Sequence, residues 1–398
     1  MHPFLRKILD ATQLTRSGKL AEATTTIQRA LAHPAPASTH PVRLEADLTV
    51  EATVIDAAVE DTVPAILVHD TPALPPHTPT LVVDDAAEVD EAPPAVRRPT
   101  GPGRFLASSY TCADGTRAFK LFVPDGFEGE ALPLVVMLHG CTQDPDDFAA
   151  GTQMNALAQE QGFMVLYPEQ APRSNAHKCW NWFSPRDQGR GAGEPALLAG
   201  MTRHVLQTHG IDHDRVYVAG LSAGGAMAAI LAREYPDLFA AAGVHSGVAP
   251  GSAQDVASAF AIMKSGPGTT HELLTALMTL RPAAGNGVAA AAATPASGAP
   301  LIVFHGDADK TVVAANGDAV VAAALGDAGT AVSISFEGDT TSDTRSFQRT
   351  VWRRDAAAAD APTLAEHWVV HGSPHAWSGG SESGSYTDPA GPDASREM

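Results

Sequence analysis

The chain has 398 residues, of which 44% are hydrophobic, and this length is sufficient to bury a large core and to form two or three domains. Its formal net charge of −19 and its isoelectric point of about 5.1 argue against nucleic-acid binding. No stretch approaches the roughly 18 consecutive apolar residues of a membrane-spanning helix, and the N-terminal sequence does not match a secretory signal. Since three cysteines do not make a disulfide framework, we expect a cytoplasmic protein, with an extracellular location as the alternative.

The first predicted element is a helical hairpin over residues 1–32. Apolar residues recur at helical spacing on both sides of a break at Ser17–Gly18, and the second half resembles part of a tetratricopeptide unit. A single unit of that kind cannot bury its own apolar face. We therefore expect the hairpin to dock on the rest of the chain, on a second copy, or on a foreign surface such as a granule or another protein.

The second segment, residues 33–100, has the composition of a linker. It contains eleven of the 30 prolines, twelve acidic residues against three arginines, and no aromatic residue. Such a segment does not bury enough apolar surface to offset the entropy lost on ordering. We predict a disordered linker that separates the hairpin from a third segment over residues 101–398.

The third segment alternates apolar runs with helical patterns, which predicts an α/β fold with a mostly parallel sheet covered by helices on both faces. The predicted strands cover residues 133–140, 162–169, 215–220, 240–247, 300–307 and 366–372. The predicted helices cover residues 146–161, 194–209, 223–235 and 314–325. An alternating pattern over residues 108–124 predicts an antiparallel hairpin at one edge of the sheet. In such sheets, chemistry collects at the carboxyl ends of the strands.

The stretch Gly-Leu-Ser-Ala-Gly places Ser222 between a predicted strand and a predicted helix. A tight turn that merely tolerates a serine is one interpretation; a nucleophile elbow, which has this strand–turn–helix context, is the other. A serine nucleophile requires a histidine base that is oriented by a carboxylate. On this architecture we expect the chain order serine, then aspartate or glutamate, then histidine, each on a loop after a strand.

Candidates for the acid and the base follow in that order. Asp307 and Asp309 both come after the strand that ends in His-Gly, and the pattern H-G-x-x-D-x-x-V favours Asp309. Among the later histidines, His367 and His371 belong to a predicted strand, whereas His375 lies beyond it in a loop rich in glycine, serine and proline. A base on a loop reaches over the sheet edge more easily than a strand histidine does. We therefore predict Asp309 and His375.

Acyl transfer also requires hydrogen-bond donors for the oxyanion. We expect the backbone N–H of Ala223 at the start of the helix, and that of Cys141 in the loop after the His-Gly pair. The thiol of Cys141 is an alternative nucleophile, but the sequence shows no base near it. Neither a metal site nor a cofactor is indicated, because the histidines are not at ligand spacing and no nucleotide-binding glycine motif is present.

From about residue 105 to the end, the sequence resembles the polyhydroxybutyrate (PHB) depolymerase-type esterases of the α/β-hydrolase superfamily. The motifs that carry the resemblance are LPLVVMLHGCTQ, HKCWNWFSP, RVYVAGLSAGG, IVFHGDADKTV and HAWSGG. The resemblance implies a serine carboxylester hydrolase whose catalytic residues are Ser222, Asp309 and His375. The family contains polyester depolymerases as well as feruloyl and acetyl-xylan esterases. We therefore expect 3-hydroxybutyrate oligomers or polymer as substrates, with aromatic or acetyl sugar esters as the alternative and an inert granule-binding scaffold as the hypothesis from another class.

Three residues are candidates for substrate binding. Trp180 and Trp182 follow a predicted strand, where they either line a wall for an acyl chain or an aromatic ester, or pin the loop to the core. His139, in the early His-Gly-Cys motif, is the third candidate. Residues 250–300, rich in alanine, glycine and proline, are expected to form an insertion over the pocket.

The cysteines and one acidic residue complete the expectations. Cys141 and Cys179 both follow strand ends, and both lie in motifs that carry the resemblance, which favours a disulfide between them. A reducing cytoplasm argues against that disulfide. Cys112 would stay free in the edge hairpin. Glu194, which precedes a proline at a predicted helix start, is expected to cap that helix.

Overall fold

A computed structural model of the protein describes residues 101–127, 129–279, 298–326, 332–337, 344–354 and 362–398. Within residues 268–279 and 332–337 only the backbone is described. The predicted hairpin and linker over residues 1–100 lie outside the described residues and remain predictions. In the described part of the chain, no helix combines the length and the hydrophobicity needed to cross a membrane.

Ten strands of the described residues form one mixed sheet, which is parallel in its centre and antiparallel at both edges. The strands are β1 (Arg104–Cys112), β2 (Gly115–Val123), β3 (Leu132–Leu138), β4 (Met164–Pro168), β5 (Ile211–Leu221), β6 (Ala241–His245), β7 (Leu301–Gly306), β8 (Val332–Glu337), β9 (Phe347–Arg353) and β10 (Thr363–Val370). Their order is β1-β2-β4-β3-β5-β6-β7-β10-β9-β8, and the six strands from β4 to β10 are parallel. A separate parallel pair joins β11 (Trp377–Ser378) to β12 (Thr387–Asp388). The prediction of a mostly parallel sheet with an antiparallel edge hairpin is confirmed.

The described helices follow the predicted pattern with two differences. They are α1 (Pro145–Thr152), α2 (Met154–Gln161), α3 (Gly193–Thr208), α4 (Ala223–Glu234), α5 (Val256–Thr279), α6 (Ala315–Leu325) and the short α7 (Ala394–Glu397). The prediction of one helix over residues 146–161 is wrong, because Gln153 has a left-handed backbone (φ 55°) that separates α1 from α2. The second difference is α5, a helix in the stretch that was predicted only as an insertion, which is kinked at Gly266 (φ 71°) before Pro267.

The central strands are buried on both faces, and alternate side chains therefore enter two different cores. On one face, Val136 of β3 packs in a cluster that includes Met201 of α3 and much of α4. On the other face, Met137 packs in a cluster with Phe148 of α1 and side chains of α2. These two layers of helices hold the sheet from both sides. The carboxyl ends of its parallel strands are consequently aligned along one edge.

Candidate active site

Ser222 occupies a strained turn between β5 and α4. Its backbone has φ 58° and ψ −117°, a region that residues other than glycine rarely adopt. Two hydrogen bonds hold the turn: the Ser222 N–H donates to the His245 carbonyl at 2.8 Å, and the Ala226 N–H donates to the Ser222 carbonyl at 2.9 Å. The Ser222 side chain is half-buried. The turn thus presents the hydroxyl at the carboxyl edge of the sheet.

Close packing around this turn accounts for the glycine at 224 and places Gly140 beside the serine. A Cβ on Gly224 would lie 1.9 Å from the carbonyl oxygen of Leu138, so only glycine lets α4 begin against the end of β3. A Cβ on Gly140 would lie 3.6 Å from the Ser222 Cβ. The His-Gly-Cys loop after β3 therefore lies directly beside Ser222.

His375 and Asp309 form a short hydrogen bond at the same edge. The distance from His375 Nδ1 to Asp309 Oδ2 is 2.6 Å, and the other carboxylate oxygen accepts the N–H groups of Thr311 and Val312 at 2.8 and 2.9 Å. Burial by itself would raise the pKa of the Asp309 carboxyl, but the hydrogen bond and charge of His375 and the Val312 N–H lower it below its usual value. The carboxyl is therefore ionised at neutral pH, as an orienting group for a histidine must be.

The other candidate residues have different partners. Asp307 accepts a hydrogen bond from His371 at 2.9 Å and from the Gly372 N–H, and both the Asp307 and His371 side chains are exposed. His367 is buried, with its Nδ1 3.6 Å from Asp318. The structure thus brings His375 together with Asp309 and places the alternatives elsewhere.

His245 connects the serine turn to the histidine loop. Its backbone carbonyl accepts the Ser222 N–H, and its Nε2 accepts the N–H of Ser378 at 2.9 Å, three residues after His375.

Among the described residues, the Ser222 hydroxyl makes no hydrogen bond to protein. Hydrogen bonds between catalytic groups are commonly long in free enzymes and shorten when substrate binds. Ser222, Asp309 and His375 follow β5, β7 and β10 in the chain, and the carboxyl ends of these parallel strands lie along the same edge of the sheet.

Two backbone N–H groups beside Ser222 are available for an oxyanion. In the described part of the chain, neither the Cys141 N–H nor the Ala223 N–H donates to a protein acceptor.

The Cys141 sulfur is bonded to Cys179 in a disulfide, whereas Cys112 is free. The disulfide removes the thiol of Cys141 as an alternative nucleophile and leaves its amide available.

An apolar cavity of about 120 Å³ adjoins Ser222. The Cys141–Cys179 disulfide and Trp182 line it together with Phe260 and Met263 of α5. Four cavity residues of α5 follow helical spacing, and this spacing is the signal that sequence reasoning missed. They are Val256, Ala259, Phe260 and Met263.

Of the three residues predicted to bind substrate, Trp182 alone lines this cavity. Trp180 is fully buried and donates its indole N–H to the His139 carbonyl at 3.1 Å. His139 is itself only 1% exposed. Trp180 and His139 therefore lie behind the loop that carries the Cys141 amide, where their contacts are with protein.

Glu194 does not cap α3 as predicted. Its buried carboxylate accepts the Asn181 backbone N–H at 2.6 Å and a hydrogen bond from the Gln170 side chain, and it lies 3.5 Å from the Arg117 guanidinium. Burial raises the pKa of the Glu194 carboxyl, and the Asn181 N–H opposes this effect. The N–H of Glu194 instead donates to Asp187 at 2.7 Å. Glu194 is therefore an anchor for the loop that contains Asn181.

Comparison with known proteins identifies the family. The family model described as esterase PHB depolymerase matches residues 117–340. The chain belongs to this family. The match includes Ser222, Asp309 and both cysteines of the disulfide, while His375 lies beyond it.

Relatives of this PHB depolymerase-family chain are named as ester hydrolases. Poly(3-hydroxyalkanoate) depolymerase C of Paucimonas lemoignei is 36% identical over 211 residues, which cover 52% of this chain and 48% of that protein. Feruloyl esterase B of Thermothelomyces thermophilus is 38% identical over 140 residues, covering 35% of this chain and 47% of that protein. The chain therefore spans about half the length of these curated relatives.

A solved structure supports the α/β-hydrolase fold of this family member. The acetyl xylan esterase from Aspergillus awamori matches with a TM-score of 0.51 and 22% identity, covering 68% of this chain and 94% of that chain. At this identity the likeness shows the fold alone.

Proposed function

We propose that the protein is a serine carboxylester hydrolase. Ser222 attacks the ester carbonyl while His375 takes the hydroxyl proton, and Asp309 stabilises the resulting imidazolium. The N–H groups of Ala223 and Cys141 hold the oxyanion, and His375 then returns the proton to the departing alcohol. Water hydrolyses the acyl-enzyme by the same steps. The observation that carries the proposal is the hydrogen bond from His375 to the buried Asp309 carboxylate, at the sheet edge that also presents Ser222.

Size and polarity of the cavity favour short aliphatic esters, above all 3-hydroxybutyrate oligomers or their polymer. An apolar cavity of about 150 Å³ in another protein holds one benzene molecule. The cavity beside Ser222 is somewhat smaller, at about 120 Å³, and its walls are apolar. It has room for a four-carbon acyl group but not for a whole feruloyl group. The relationship to a poly(3-hydroxyalkanoate) depolymerase supports the same substrate class.

Feruloyl esters are the second candidate. The matching region of feruloyl esterase B is 38% identical to this chain, against 36% for the depolymerase, although it covers 140 residues rather than 211. An aromatic acyl group would have to lie across the mouth of the cavity against Trp182, rather than inside it.

The first experiment tests the nucleophile. The purified chain is expected to hydrolyse p-nitrophenyl butyrate, and Ser222→Ala should lower kcat by at least about 10⁴-fold, since a triad acts as a unit. Ser108→Ala, at an exposed position on β1, is the matched control and should retain full activity. Equal rates for Ser222→Ala and the wild type, or no turnover of any short ester by the wild type, would refute the proposal.

The second experiment separates the two substrate classes. Initial rates are compared for 3-hydroxybutyrate trimer and methyl ferulate at equal concentration. We expect the higher kcat/KM for the trimer. A higher kcat/KM for methyl ferulate would assign the protein to the feruloyl esterases instead.

A further inference from the structure

Tyr386 combines an exposed aromatic ring with an uncommon backbone conformation. In the part of the chain that the structure describes, the exposed large hydrophobic side chains are those of Leu106 (40% exposed) and Tyr386 (46% exposed). The Tyr386 backbone has φ 53°, in the left-handed region that bulky residues rarely adopt. Such strain persists only where surrounding contacts impose it, and it is concentrated at functional sites. The contacts of Tyr386 therefore indicate what its position serves.

Hydrogen bonds on both sides of Tyr386 fix its backbone. The Tyr386 carbonyl accepts the Trp377 N–H at 2.7 Å. The preceding residue, Ser385, donates its N–H to the Asp147 carboxylate at 2.8 Å, and its carbonyl accepts the side-chain amide of Gln143 at 3.1 Å. Because these bonds join Ser385 and Tyr386 to distant parts of the chain, the exposed position of the ring is set by the fold and not by local preference.

Tyr386 lies between the loop that carries His375 and the His-Gly-Cys loop that carries the Cys141 N–H. Its carbonyl is bonded to Trp377, two residues after His375. Its hydroxyl lies 3.2 Å from Oγ1 of Thr142, the residue after Cys141. The Thr142 hydroxyl donates its one hydrogen to the Cys141 carbonyl at 2.6 Å, so the Tyr386 hydroxyl is the donor in its own bond to Thr142. The phenol group is thus occupied, and the ring is the part of the side chain left for a ligand.

The proposed reaction separates the two halves of the ester in space. The acyl half occupies the cavity beside Ser222, and Tyr386 is not among the residues that line this cavity. The leaving alcohol oxygen must lie within hydrogen-bond reach of His375, because His375 returns the proton to it. The alcohol half therefore leaves the cavity alongside the two loops that Tyr386 connects.

We propose that Tyr386 is a specificity-determining residue whose ring binds the alcohol half of the ester. This inference rests on the proposed esterase function and deepens it. In a 3-hydroxybutyrate oligomer the alcohol half is the next hydroxybutyrate unit, whose methyl and methylene groups suit an aromatic face. Because the bond to Thr142 already holds the ring in place, little side-chain entropy is lost on binding.

Four variants of the full chain separate the ring from the hydroxyl and from general effects on the fold. Tyr386→Phe keeps the ring and loses the bond to Thr142. Tyr386→Asn and Tyr386→Gly remove the ring, and both replacement residues tolerate a left-handed backbone. Leu106→Ala, at the other exposed large hydrophobic side chain and on the edge strand β1, is the matched control. Melting temperatures establish that each variant is folded before its kinetics are compared.

The first measurement compares two esters that share one acyl group. They are methyl 3-hydroxybutyrate and the methyl ester of the 3-hydroxybutyrate dimer, cleaved at its inner ester bond. We expect loss of the ring to lower kcat/KM for the dimer bond by about tenfold, since burial of each methyl or methylene group contributes about fourfold. For methyl 3-hydroxybutyrate the loss should stay below about twofold. Tyr386→Phe should remain within about threefold of the wild type with both esters.

The second measurement follows the acyl-enzyme after the first alcohol has left. The acyl-enzyme is formed from labelled p-nitrophenyl 3-hydroxybutyrate, and methyl 3-hydroxybutyrate is added as a competing acceptor. The acceptor hydroxyl attacks the acyl carbonyl, His375 takes its proton and passes it to Ser222, and the dimer ester is released. An incoming acceptor binds where a leaving alcohol was bound. The ratio of labelled dimer ester to labelled free acid should therefore fall about tenfold in Tyr386→Asn and Tyr386→Gly, and stay unchanged in Leu106→Ala.

The outcomes distinguish this inference from the proposed function. Equal losses with the two esters would overturn the inference, because a general disturbance of the site affects both. An unchanged product ratio in both ring-less variants, or a tenfold fall in Leu106→Ala, would overturn it as well. Failure of the wild type to hydrolyse any ester would refute the proposed function and this inference with it. A wild type that hydrolyses both esters, matched by the ring-less variants, would overturn the inference alone.

Discussion

The disulfide between Cys141 and Cys179 provides a quantitative prediction about stability. It closes a loop with a sequence separation of 38 residues next to the cavity at Ser222. Replacing both cysteines by alanine releases this loop in the unfolded chain. In the native state, hydrogen bonds to Glu194 and His139 still anchor the chain directly after this loop, through Asn181 and Trp180. We therefore expect removal of the disulfide to act mainly by raising the conformational entropy of the unfolded chain.

The expected loss follows from loop-closure entropy. For a loop of about 38 residues the chain-entropy relation gives about 13 cal/mol/K, which is about 4 kcal/mol at 25 °C. An unfolding entropy of about 2.1 cal/mol/K per residue, over a domain of about 300 residues, converts this value to a fall in Tm of about 6 °C.

Urea unfolding followed by tryptophan fluorescence measures the loss, because Trp180 and Trp182 closely follow Cys179 in sequence and belong to the core cluster against which the disulfide packs. A reductant should bring the wild type to the midpoint of the Cys141→Ala/Cys179→Ala variant and leave that variant unchanged. Cys112→Ala is the control, since its thiol is free. A loss below about 1 kcal/mol in the double variant would refute the reasoning, as would a loss of equal size in Cys112→Ala.

Two further predictions concern packing and pH. Gly224→Ala should destabilise the fold by more than about 4 kcal/mol, because its Cβ would lie 1.9 Å from the Leu138 carbonyl oxygen; thermal melting measures this. Stability should also fall as the pH is lowered from 7 towards 4. Burial lowers the pKa of His139 from 6.5 to about 4, so between these values the unfolded chain binds a proton that the folded chain excludes. For His139 alone, the free energy of unfolding should be about 3 kcal/mol higher above pH 6.5 than below pH 4, and this difference is lost as the pH falls between these values. Melting temperatures measured across the pH series check this prediction.

Matched variants control both predictions. Gly189→Ala places a Cβ where no atom lies within 4 Å and should melt within about 2 °C of the wild type. If Gly224→Ala melts as Gly189→Ala does, the packing argument is wrong. His139→Asn should flatten the dependence of stability on pH, whereas His213→Asn, at an exposed position, should not. Melting that does not change between pH 7 and 4.5 would contradict the argument from burial.

Local patterns in the sequence were sufficient for the centre of the fold. The parallel strands are continuous apolar runs because both of their faces are buried, and each run could be recognised without its neighbours. The edge strand β8 and its neighbour β9 went unrecognised, because polar and charged residues interrupt their apolar pattern. The break between α1 and α2 was also missed, because the left-handed residue is Gln153 rather than a glycine, while the nearby Gly151 lies inside α1.

The candidate site shows the same division between local and long-range information. The sequence by itself determined the serine turn, the chain order of acid and base, and the strand ends on which these groups lie, because turns and strand ends depend on neighbouring residues. Tertiary structure decided that Asp309 rather than Asp307 binds His375. It also decided that His139 and Glu194 are buried, each bonded to Gln170, since hydrogen bonds between residues 31 and 24 positions apart form only when the sheet and its helices have brought them together.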